Sequence, residues 1–306
     1  MLPVAPDQYA DQTLYRSPIM IIGRFVCGPA NDLWQRENVI RDGPLLAFGR
    51  HAVRIGIGDE ILLGTPNDVM LYDDGQVYRR YAINGAGDDA TWFHVSPAIL
   101  RDALRTYDPA AADRSNVVVP FHRVDSDARV HLAQRTLLEF ALAPQPTEPM
   151  LIEQIFLGLL NRVLSAGFRH RARMCESARN VATRAHHDQI VDAATIWMCT
   201  HACETVSIAA VADHVGMSMF HLCRVYRSVR GETLYRTLVR LRLRLTLEWV
   251  LAAKIDLTEA ALRSGFCSSS HFSNAFRREF GIPPRDVRRI DAARLLSRIR
   301  TILQAA

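Results

Sequence analysis

The chain has 306 residues, 49% hydrophobic and 23% charged, a globular composition long enough for two domains, which excludes a disordered or low-complexity protein. No apolar run approaches the roughly 18 residues that cross a bilayer. The N-terminal MLPVAPDQYADQTLYR also lacks the basic-then-apolar layout of a signal peptide, so a cytoplasmic protein with no membrane partner is expected. The net charge is +5 but unevenly spread: residues 1–180 hold 19 Arg/Lys against 21 Asp/Glu, and residues 181–306 hold 18 against 11. Such asymmetry is expected when one domain meets a polyanion and the other does not.

Lys254 is the only lysine. Arginine's planar fork suits phosphate and guanine, although a GC-rich genome would give the same bias. The six cysteines are scattered without a CxxC pair, which argues against a disulfide framework and a zinc ribbon and for reduced thiols.

From Ile19 to about Val95, short apolar stretches are broken by Gly, Asp, Asn and Pro at roughly ten-residue spacing, the signature of an antiparallel sandwich or barrel. After Pro97 the period changes to three and four, as in Ile152, Ile155, Phe156, Leu159, Leu160, Val163 and Leu164, which predicts helices with wide apolar faces packed on the strands or on another subunit. Residues 169–189 show little apolar periodicity and read as a junction. Everything beyond reads as helical, ending with a helix from about Arg285.

Two stretches in this last part repeat one design. Ala212-x3-Gly216-Met217 matches Ala261-x3-Gly265-Phe266, and Leu222, Tyr226 and Gly231 then match Phe272, Phe276 and Gly281 once a single extra residue is allowed in the second turn. Each element has a role in a helix-turn-helix: the small Ala lets helices approach, the Gly takes the turn, and a Ser caps the next helix. Ser218 is the expected cap in the first copy, and Ser268 or a neighbouring serine in the second. Apolar residues at i and i+4 pin the second helix of each unit inward. They leave His221, Arg224 and Arg227 outward in one copy, and Ser269, Ser270, Asn274, Arg277 and Arg278 in the other. These residue types contact phosphates and base edges.

GFCSSSHFSNAFRREFGIPPRDVRR resembles the C-terminal signature of AraC/XylS-type transcriptional regulators, and residues 188–290 look like that family's DNA-binding domain; VGMSMFHLCRVYRSVRG fits the companion motif less closely. The resemblance implies two helix-turn-helix units bridged by a long helix, about Thr233 to Ala253, with two recognition helices in successive major grooves roughly 34 Å apart. It places the base-facing positions on Phe220, Cys223 and Arg224, and on Ser269, Ser270, Ser273, Asn274 and Arg277. It further implies a cupin-like barrel that senses a small molecule, dimerises, or both.

The expected architecture is thus an α+β multidomain chain: residues 1–170 a cupin-like β-barrel with appended helices, 171–187 a linker, and 188–306 an all-α double helix-turn-helix domain. The expected function is sequence-specific transcriptional regulation without a catalytic step, as a homodimer on double-stranded DNA under a small-molecule effector, with RNA polymerase a partner if the protein is an activator. Trp34, Phe48, Tyr72, Tyr78, Arg79 and Trp92 are candidate ligand-lining residues by type alone. No cofactor or metal is expected, because His51, His94 and His122 lack partners at the ligand spacing of a cupin metalloenzyme. An alternative is a metal- or thiol-responsive regulator using Cys199 and Cys203, which share a helix face that His201 does not. A pure oligomeric interaction protein would leave the basic double motif without a purpose.

Overall fold

The computed structural model describes residues 4–83, 85–110, 117–142, 149–176, 181–253, 255–289 and 292–304. It divides into two compact units, one of residues 174–289 and one of residues 2–173 with 290–306.

Among the described residues the N-terminal unit has ten strands: β1 (Tyr9–Arg16), β2 (Met20–Cys27), β3 (Asn38–Val39), β4 (Leu45–Gly49), β5 (Val53–Ile57), β6 (Glu60–Gly64), β7 (Asp68–Tyr72), β8 (Val77–Tyr81), β9 (Asp88–Val95) and β10 (Arg123–Asp125). All pair antiparallel, in one sheet of order β1-β2-β9-β4-β7-β10 and another of order β3-β8-β5-β6. Their inner faces share a core in which Val53 and Ile55 of β5 and Tyr78 of β8 meet Met70 and Tyr72 of β7. The strand-rich, antiparallel layout is as the turn spacing indicates, but the two sheets do not close into a barrel among the described residues. Sequence periodicity misses β1, an edge strand with mostly solvated side chains, and the three-residue β10.

Helices α1 (Pro97–Leu104), α2 (Ala128–Ala141) and α3 (Pro149–Glu176) complete this part of the chain. Asp127 caps α2 by accepting from the Val130 amide at 2.8 Å, and it also pairs with Arg162 of α3 at 2.8 Å. By length and composition α3 passes as a membrane span. Its apolar residues are nevertheless core: Ile155, Phe156, Leu159 and Leu164 are fully buried, and the Phe156 ring stacks on Phe93 of β9 at 6.0 Å. The helix also extends to Glu176, into the stretch of residues 171–187 expected as a linker, because Arg and Ala are strong helix formers even without an apolar stripe. Residues 177–180 of that stretch lie outside the described residues.

The second unit is all helical: α4 (Val181–His201), α5 (Ile208–His214), α6 (Met219–Arg230), α7 (Leu234–Ala252), α8 (Leu257–Arg263), α9 (Ser269–Phe280) and α10 (Pro284–Arg289). Its final neighbour in sequence, α11 (Ala292–Gln304), belongs to the other unit and packs against α2. Leu295, Leu296, Ile299 and Leu303 of α11 are buried there, Leu303 lies against Gly158, and Arg300 donates to Gln154 at 3.2 Å. The expectation of one domain over residues 188–306 therefore differs from the observed division at its C-terminal end. An amphipathic pattern shows that a helix face must be covered, but not by what.

Candidate nucleic-acid interface

Helices α5 and α6 form one helix-turn-helix and α8 and α9 a second, alike in helix lengths and caps, the second turn being one residue longer. Each first helix has 7 residues and each second helix 12. Ala212 and Ala261 are buried, and their carbonyls accept from Met217 N at 2.9 Å and Phe266 N at 3.0 Å, closing the two turns alike. Gly216 and Gly265 sit at φ +67° and +79°, a region that disfavours side chains. Ser218 accepts from His221 N at 3.3 Å and Ser268 from His271 N at 3.1 Å, so both expected caps are formed. Gly231 and Gly281 end α6 and α9 in left-handed conformation.

The inner faces are held differently. In the first half the buried Tyr226 hydroxyl bonds Thr195 Oγ1 at 3.0 Å and donates to Thr237 Oγ1 at 3.2 Å, and Thr237 donates to Glu232 at 2.8 Å. Burial raises the Tyr226 phenol above its usual range, which keeps it a neutral hydrogen-bonding group. In the second half Phe266, Phe272, Phe276 and Phe280 form a ladder with successive ring centroids 5.4, 5.5 and 4.6 Å apart. Helix α7 ties the halves: Arg240 donates to Glu232 at 3.0 Å and lies 3.6 Å from Glu279 of α9, while the buried Arg242 donates to the Ala202 and Glu204 carbonyls at 2.7 and 2.6 Å.

The outward faces carry the sequence candidates. Ser218, Phe220, His221, Cys223, Arg224 and Arg227 are all exposed on the first unit. On the second, Ser268, Ser270, Asn274, Arg277 and Arg278 are exposed, and Ser269 and Ser273 are half-buried. Arg224, Arg227, Arg277 and Arg278 make no ion pair among the described residues, leaving their guanidinium groups available to phosphate or guanine. Phe220 is 88% exposed, an apolar ring with no intramolecular partner to bury it.

The other candidates divide. Tyr72, Tyr78 and Trp92 line a cavity of about 640 Å³ in the N-terminal unit. Trp34 packs beside the core and donates to the Gly28 carbonyl at 2.8 Å, and Phe48 is buried edge-on against Phe93. Arg79 faces outward, 54% exposed and 3.5 Å from Glu37. Its neighbour Arg80 faces the cavity instead, since strict alternation along β8 buries Tyr78 and Arg80 and exposes Val77, Arg79 and Tyr81. Arg80 pairs with Asp88 at 3.1 Å, and burial pushes the Asp88 carboxyl and the Tyr72 and Tyr78 phenols above their usual ranges.

Cys199 packs against the core of the second unit and Cys203 is half-buried, while His201 stacks on Trp197 at 4.1 Å with Nδ1 2.8 Å from the Trp197 carbonyl. No group of three metal-ligating side chains occurs among the described residues.

Residues 211–290 match a family model described as a helix-turn-helix domain. The chain is 39% identical over 92 residues to the HTH-type transcriptional activator RhaS of Escherichia coli, a match covering 30% of this chain and 33% of that protein, so it spans about a third of the relative's length. Among solved structures, it is similar to a transcriptional regulator with an AraC-type DNA-binding domain from Chromobacterium violaceum (27% identity, 34% of this chain and 94% of that one, TM-score 0.32). It is also similar to the DNA-binding domain of AdpA in complex with target DNA (25%, 34% and 94%, TM-score 0.32) and to unsaturated fatty acid bound ToxT from Vibrio cholerae (10%, 89% and 95%, TM-score 0.33).

Proposed function

We propose that this chain, whose residues 211–290 form the DNA-binding domain of an AraC/XylS family regulator, is a sequence-specific transcriptional regulator. The observation that carries this reading is the exposed, unpaired polar face on each of two geometrically equivalent capped helices, α6 and α9. Each helix enters a major groove, the two grooves lying about one turn apart. Arg224 reads guanine bidentately, and Phe220 and Cys223 make apolar contact with a thymine methyl. Asn274 reads adenine, flanked by Ser269, Ser270 and Ser273. Arg227, Arg277, Arg278 and His221 hold phosphates.

The N-terminal unit acts as the sensor, with a small-molecule effector in the cavity between its sheets, in a cytoplasmic homodimer that engages RNA polymerase where it activates. No catalytic step is involved. The effector acts only if it binds one arrangement of the protein better than another.

The test is selection of bound sequences from a random duplex pool with the full chain, then affinity against salt for wild type and Arg224→Ala. The expected motif has two blocks about one helical turn apart, with the substitution relaxing one block only. Uniform binding across sequences with only a salt slope would overturn the reading.

A further inference from the structure

The N-terminal cavity is lined by exposed charged side chains, Asp11, Arg16, Arg36, Glu37, Arg41 and Asp42, and by a buried part in which one charge couple stands near apolar side chains. Arg80 and Asp88 are 8% and 5% exposed, and both line the cavity. Arg80 Nε faces Asp88 Oδ2 at 3.1 Å, Nη2 donates to the Tyr78 hydroxyl at 2.5 Å, and the guanidinium lies 4.1 Å over the Phe25 ring. These contacts leave Arg80 Nη1 and Asp88 Oδ1 unused, so the couple presents one donor edge and one acceptor edge. The other buried carboxylate in the wall, Asp68, is already engaged by the amide and hydroxyl of Thr65. Ile40, Val53, Ile55 and Met70 supply an apolar surface opposite.

Charge balance decides what fits. At this buried couple a net anion would meet Arg80 while crowding Asp88, and a net cation would do the reverse. We propose that the cavity binds a net-neutral small molecule with an acceptor and a donor adjacent at one end, as in an α-amino acid zwitterion or a primary carboxamide, and an apolar body. Its acceptor lies against Arg80 Nη1, its donor against Asp88 Oδ1, and its body against Ile55 and Met70. This deepens the sensing part of the proposed function and rests on it.

The test holds the body constant and changes the head. Thermal shift and calorimetry on the full chain use L-phenylalanine, phenylacetamide, phenylacetate and phenethylamine, with L-arabinose as the polyol. L-phenylalanine or phenylacetamide is expected to bind at least tenfold more tightly than both singly charged probes and the sugar. Arg80→Gln with Asp88→Asn removes both charges but keeps a donor and an acceptor. That variant should retain phenylacetamide within about threefold and lose L-phenylalanine by at least tenfold, which separates the two heads. The wild-type ranking needs no variant, so it decides the proposal even if the double substitution does not fold. Preference for phenylacetate, phenethylamine or arabinose would overturn the head-group assignment and leave a sensor of another ligand. Absence of binding by all five, with DNA affinity unchanged by each, would overturn the assignment and the sensing role together, while the DNA selection above still stands on its own result.

Discussion

The first helix-turn-helix buries Tyr226 where the second buries Phe276, and outward the first shows Phe220, Cys223 and Arg224 where the second shows serines and Asn274. Caps and helix lengths are nevertheless the same, and the turns close alike although the second holds one residue more. The shared residues are those that set backbone geometry: a small residue at the close approach, glycine at positive φ and a serine cap. The residues that fill the core or face outward are free to differ once that frame is met. At the matched position the first half ties Tyr226 into a hydroxyl network and the second stacks Phe276 in a ring ladder, its own buried hydroxyl pair being Thr246 and Ser264.

The largest expected effect tests that difference in the core. Phe276→Ala should cost about 3–5 kcal/mol, because the ladder loses a fully buried ring. Tyr226→Phe should cost about 1–2 kcal/mol, by leaving Thr195 and Thr237 with one partner fewer. Urea melts of the full chain measure both, and equal losses would erase the contrast.

Next come the turns. Gly216→Ala should cost about 1–2 kcal/mol from backbone conformation alone, since a methyl there meets nothing within 4 Å. Gly265→Ala should exceed about 2 kcal/mol, because its methyl would lie 2.9 Å from the Ala202 carbonyl oxygen and 3.0 Å from Arg242.

On the outward faces, Arg224→Ala and Asn274→Ala should each cost about 1–3 kcal/mol of discrimination, at different blocks of the selected site. Arg277→Ala should instead weaken all sequences alike and lower the salt slope by about one. Competition binding at two salt concentrations separates these outcomes. The smallest effect sharpens the likeness: Ser218→Ala and Ser268→Ala should each cost about 1 kcal/mol, equal within error in the same urea melts, because both hydroxyls cap one amide.

The repeat was legible in sequence because Ala and Gly at a fixed offset, followed by a capping Ser, are backbone requirements, and those leave a residue-type record. The cavity was much less so. Aromatic type selected Tyr72, Tyr78 and Trp92, but also Phe48, which is core, and Arg79, which faces out. The two-residue period of β8 held the missing signal: once Tyr78 is inward, Arg80 must be inward too. Asp88 carried no such mark, because its pairing with Arg80 is a matter of how two sheets face each other. The closing of a barrel and the place of α11 are likewise long-range outcomes, beyond what any local period records.

The position of α11 bears on how the protein is made. A ribosome releases residues 174–289 before residues 292–304, so the helix-turn-helix unit has its chain while the N-terminal unit still lacks the helix that covers α2. At about 5–20 residues per second the interval is on the order of seconds or less. During it, the part of the chain synthesised first is the part that finishes last.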